Sequence, residues 1–148
     1  MSYQERNTIA NLISSIIVFG LYGMYMFNMY QEGRFDGAGA AALVGKSIFV
    51  LICASILVTI AVSILFNIFY AIITKEKVQS VTDERDKLIE LKGMQVSFIA
   101  FGVGFVGSMG ALALGIAPFM VFLFIMYSMF FGNGLGEIIK LYLYRRGV

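Results

Sequence analysis

The sequence has no histidine, no tryptophan, one cysteine and one proline, and only 14% of its 148 residues are charged, against roughly 25% in an average soluble domain. Each shortage excludes something. Without histidine, the commonest general base, the usual imidazole metal ligand and the side chain that titrates near neutral pH are missing, so Ser/His and Cys/His nucleophile systems are ruled out. The single cysteine, Cys53, allows no intramolecular disulfide, and a thiolate metal centre would need several chains. A net charge of +2 is too small to point to a nucleic-acid partner. We therefore expect no enzyme, no metal and no cofactor.

The few charges are also clumped. No Asp, Glu, Lys or Arg occurs over Asn7 to Gln31 (25 residues), Ser47 to Thr74 (28) or Gly93 to Gly136 (44). A bilayer-spanning helix needs about 20 apolar residues, so the first two runs hold one span each and the third holds two. The expected fold is an all-α membrane protein with four transmembrane helices in two hairpins, one domain over 1–148, with spans at about 9–30, 46–73, 94–117 and 119–144. The first apolar stretch is about twice the roughly 7 to 15 residues of a cleaved signal core. Asn28-Met29-Tyr30-Gln31 offers no small-residue cleavage site, so this span is expected to be retained.

Basic residues stay on the cytoplasmic side. With the N-terminus inside, the inner segments carry Arg6, Lys75, Lys77, Arg85, Lys87, Lys92, Lys140, Arg145 and Arg146, and the outer side only Arg34 and Lys46. Nine against two predicts both termini in the cytoplasm and the chain in the cytoplasmic membrane.

Lipid tails are as apolar as leucine, so membrane helices associate through close backbone approach and interhelical polar contacts. Small residues recur every four positions: Ala100, Gly104 and Ser108, and Gly107, Ala111 and Gly115, in span three; Ser128, Gly132 and Gly136 in span four; Ser55, Thr59, Ser63, Asn67 and Ala71 in span two. Gly115 and Pro118 mark a very short turn between spans three and four, which makes these two the expected closest pair. Surfaces left over in so small a protein predict a homo-oligomer or another membrane protein as partner, beside the lipid bilayer itself.

Ionisable groups inside a span are costly and mark functional candidates. Asn133, Glu137 and Lys140 share one face of span four, and Asn67, Asn11 and Gln95 fall at similar depth, so these six are the candidate polar layer. The plain alternative is that Glu137 pairs with Lys140 while the amides tie helices together. Met24, Met26 and Met29 carry thioethers suited to copper(I), but their helical positions do not converge on one ion.

The segment Ser80 to Gly93 reads as a short amphipathic cytoplasmic helix between spans two and three, capped by Ser80 or Thr82 and closed by Lys92 and Gly93. Val81, Leu88 and Leu91 share one face. Asp83, Glu84, Arg85, Asp86 and Glu90 make a candidate docking or cation surface. The block TDERDKLIELKG, the glycine-rich span after it and the ending EIIKLYLYRRG resemble small membrane proteins of bacteria and archaea grouped as domain-of-unknown-function family 2178. The matching residues are Asp83, Glu84, Arg85, Asp86, Gly93, Tyr144, Arg145, Arg146 and Gly147. The resemblance implies a four-span protein of the cytoplasmic membrane and supplies no activity. The expected function is a non-enzymatic accessory or regulatory protein acting through the 74–93 hairpin. The alternative is an oligomeric small transporter or channel with Glu137 in a cytoplasm-facing cavity. It is similar to small multidrug exporters only in size and span number.

Overall fold

Where no water is available to pair backbone N–H and C=O groups, long apolar runs satisfy them internally as helices. The computed structural model describes residues 3–37, 39–74 and 83–146, and these form four helices: α1 (Tyr3–Gln31), α2 (Ala40–Thr74), α3 (Glu84–Ala113) and α4 (Pro118–Arg146). All four are long and apolar enough to cross a membrane. At 35 residues, α2 is about 52 Å long and must tilt or protrude from a ~30 Å hydrocarbon core. Large apolar side chains on its outer surface are exposed, Phe49 at 70% and Ile73 at 74%, as a lipid-facing surface requires.

The helices are not evenly packed. The α3–α4 contact is the most extensive, α1 packs on α2 and on α4, α2 reaches α4, and α3 has no comparable contact with α1 or α2. α1 meets its neighbours through one stripe: Arg6, Ala10, Ser14, Val18, Tyr22, Met26 and Met29 are all buried. Spacings of four and three keep them on one face. The upper half of this stripe joins Val44 and Leu51 of α2 and Met126 of α4 in the apolar core.

The α1–α2 connection is held down. Gly33 adopts φ +68°, Arg34 N–H donates to Met29 O at 3.2 Å, and the buried Phe35 ring stacks on Phe119 at 5.1 Å. The α3–α4 turn is tighter still. Gly115, at φ +84°, donates to Leu112 O and Ile116 N–H donates to Ala111 O at 3.1 Å, the paired bonds of a Schellman ending. Pro118 then starts α4, where its missing N–H costs nothing. Span three therefore ends at Ala113 rather than Ala117, because the positive φ of Gly115 stops the helix.

The segment before span three differs from expectation in one respect. Glu84 to Lys92 forms no separate helix, since α3 runs unbroken through Lys92 and Gly93. Asp83 is the N-cap: its carboxylate accepts from Glu84 N at 2.7 Å, and Asp86 reaches back to Asp83 N at 3.2 Å. Gly93 is a packing glycine rather than a stop. A Cβ there would stand 3.0 Å from Gly136 O and 2.6 Å from Lys140 Cε. The expected caps Ser80 and Thr82, with Val81, Lys75 and Lys77, lie outside the described residues, as do Ala38, Gly147 and Val148.

Candidate functional site

Two of the helix faces that carry small residues, one on α3 and one on α4, let these helices touch. Gly104 meets Ser128, Gly132 meets the backbone of Ser97 and Phe101, and Gly136 meets Ser97 and Gly93 O. Ser108 is buried and donates to Gly104 O at 2.8 Å. The second expected ridge of α3 is not used this way. Gly107 and Gly115 have nothing within 4 Å of a built Cβ, and Ala111 is half-buried.

Because α3 leans almost wholly on α4, a cleft of about 450 Å³ opens where all four helices converge, near the middle of each. Its polar lining comes from Ser14 and Ser15 of α1, Ser55 and Thr59 of α2, Ser97 of α3 and Asn133 of α4. Aromatic walls are supplied by Phe19 and Phe130, which stack at 4.1 Å between centroids, together with Phe98 and Phe101. Most of the hydroxyls return to their own helices: Ser14 donates to Ala10 O at 2.8 Å, Ser55 to Ile52 O at 2.8 Å and Ser97 to Gly93 O at 3.1 Å. Asn133 crosses to α1, its Nδ2 donating to Ser15 Oγ at 3.3 Å. A hydroxyl that donates to its own backbone keeps lone pairs free to accept, so the cleft offers uncharged acceptors, an amide and aromatic faces. Among the described residues no carboxylate, lysine or arginine lines it.

The six residues of the expected polar layer do not converge. Glu137 and Lys140 pair at 2.9 Å, with side chains 7% and 18% exposed. Glu137 Oε2 has no hydrogen-bond partner among the described residues, and the residue does not line the four-helix cleft. Asn67 turns onto its own helix, donating to Ser63 O at 2.8 Å. Asn11 is half-buried and Gln95 is exposed. Gln95 lies about 200° around α3 from Gly93, away from α4.

What stitches this end of the bundle is a set that sequence reasoning passed over. The buried Arg6 guanidinium stands 3.9 Å from the Tyr70 ring centroid, joining α1 to α2. Arg145 reaches Glu5 at 3.5 Å, joining α4 to α1. An arginine over an aromatic face is a way to bury that charge, worth about 0.5 to 2 kcal/mol. The available signal was a basic residue and an aromatic at equal predicted depth on adjacent spans.

Among the described residues no group of three or more His, Cys, Asp or Glu could hold a metal ion. Asp83 and Asp86 close the helix cap, while Glu84, Arg85 and Glu90 are exposed. Met26 and Met29 are buried while Met24 is 67% exposed, so the three sulfurs face different surroundings. No family model, curated protein or solved structure matches the chain, and the site rests on its geometry.

Proposed function

We propose that the chain is a non-enzymatic, multi-pass protein of the cytoplasmic membrane, with the starts of α1 and α3 and the ends of α2 and α4 on the cytoplasmic side, that binds a small uncharged amphiphile in the four-helix cleft. The observation that carries this is the cleft of about 450 Å³ at mid-helix depth, lined by hydroxyls and one amide beside four phenylalanines. That size lies within the roughly 300 to 1,000 Å³ of small-molecule sites. An ion would find no counter-charge there, whereas a hydrogen-bonding molecule soluble in lipid finds both of its needs. Carriage across the bilayer is the transport form of this reading, with the Glu137–Lys140 pair as a charged plug one turn beyond Asn133.

The test uses the full chain in lipid nanodiscs and a fluorescent uncharged amphiphile such as N-phenyl-1-naphthylamine. Thr59→Phe and Ser55→Phe fill the cleft without entering the α3–α4 contact. Saturable binding that both variants abolish, with unchanged melting, supports the reading; binding that both retain removes it. Glu137→Gln separates carriage from binding alone, since loss of flux with retained binding assigns the carboxylate to the transport step.

A second reading, an accessory protein docking through the 74–93 hairpin, is favoured by the first turns of α3. Leu88, Leu91 and Met94 are each more than half exposed among charged neighbours. Site-specific cross-linking from Leu88 and Leu91 should capture one defined membrane or cytoplasmic partner, or a second copy; random capture would count against it.

A further inference from the structure

On the other flank of the bundle α1 and α2 enclose a second groove, of about 580 Å³, open to the side. We propose that it holds one phospholipid with an anionic headgroup, the phosphate between Arg34 and Lys46 and one acyl chain along the groove. The two cations and the tyrosine Tyr25 line the end nearest the α1–α2 turn. Next along it, the hydroxyls of Tyr22 and Ser47 lie 3.2 Å apart. Beyond these the walls are wholly apolar: Leu21 and Val18 from α1, and Val50, Ala54 and Val58 from α2.

Three features choose this occupant. First, charge: among the described residues the lining contains two cations and no carboxylate. Arg34 does pair with Glu32 at 2.7 Å, yet both side chains are more than half exposed, and such a pair is worth about 0 to 1 kcal/mol, so a phosphate competes easily. Lys46 makes no ion pair among the described residues. Second, length: from Lys46 to Val58 a helix rises about 18 Å, which matches one leaflet of a ~30 Å core, the reach of a single acyl chain. Third, the cations and hydroxyls gather at one end, beside Met29 and Leu43, and the far end is hydrocarbon alone, as in a lipid. A partner helix would need none of this order, and a free anion would leave the apolar length unused. The inference does not depend on the four-helix cleft.

The experiment is native mass spectrometry of the full chain released from mixed micelles containing phosphatidylglycerol and phosphatidylcholine of equal chain length. One phosphatidylglycerol should be retained in preference. Arg34→Gln with Lys46→Gln should reduce its retention about thirtyfold, since each basic residue near a headgroup contributes about 1 kcal/mol. Ala54→Phe should lower retention by blocking the chain. Lys46→Gln alone, at an exposed position, gives the same direction should the double variant fold poorly. Equal retention of the two lipids, unchanged retention in the charge variants, or displacement of the lipid by inorganic phosphate would each overturn the proposal.

Discussion

The two hairpins of this protein solve the same problem with opposite materials. In α3–α4 the helices meet through glycine and serine, close enough that a Cβ on Gly132 would lie 2.8 Å from Ser97 O and 3.1 Å from Phe101 N. In α1–α2 the contact is made by Val18, Tyr22, Met26, Val44 and Leu51. Inside a bilayer, burial of apolar surface drives little association, so contact quality decides. Small residues give continuous backbone contact and no space. Larger ones hold the axes apart and leave a groove, and the α1–α2 pair has one along its flank. The tight hairpin is the scaffold, and the looser one carries the flank groove proposed above to hold a lipid.

Substitution at the glycine contact breaks this comparison most severely. Gly132→Leu places four carbons against backbone atoms that cannot move independently, and should destabilise the bundle by about 3 kcal/mol, the upper end for overpacking, measured by detergent-induced unfolding. Gly107→Leu, on α3 with nothing within 4 Å, should change stability by less than about 0.5 kcal/mol. Equal losses from the two would mean that Gly107 packs against a second copy of the chain.

The next effect tests whether the tight hairpin also depends on charge. The Lys140 stem lies over Gly93 and its ammonium pairs with Glu137. Glu137→Ala leaves that ammonium without its counter-ion, and unfolding should require about 2 kcal/mol less. That is below the ~3 to 5 kcal/mol for a fully buried pair because lysine can stretch toward the headgroups. Glu137→Gln should cost less than Glu137→Ala in the same titration.

How much of this was legible depended on whether residue type alone carried the information. Charge-free runs are long and unambiguous, so the four helices could be read directly. The ridge of Ala100, Gly104 and Ser108 was also legible, because only small residues permit close approach. Choosing between it and the Gly107 ridge was not, since both have the same spacing and only the rotation of α3 about its axis separates them. The α1 stripe escaped notice for a different reason. Arg6, Ala10, Ser14, Val18, Tyr22 and Met26 share no size or polarity, and nothing but tertiary contact makes them one face. The cleft was equally hidden: Ser14, Ser55, Thr59 and Ser97 look like ordinary packing residues until α3 is seen to lean almost wholly on α4.

At the cytoplasm-proposed end, Asp83→Ala removes the capping box of α3 and should lower stability by about 1 kcal/mol, read as a fall in melting temperature without loss of α3–α4 contact.

The smallest effect bears on the looser hairpin. Tyr22 is buried, and its hydroxyl and that of Ser47 are 3.2 Å apart, while Ser47 also donates to Val44 O at 2.7 Å. With the serine proton committed to its own helix, the tyrosine must be the donor across the interface. Tyr22→Phe therefore removes one interhelical hydrogen bond and leaves the ring in place, at a cost near the ~0.6 kcal/mol average for such bonds in membranes. Ser47→Ala should cost no more, because Val44 O keeps its backbone bond. If Tyr22→Phe instead costs as much as Gly132→Leu, the two hairpins are held with equal stringency and the division into scaffold and binding surface fails.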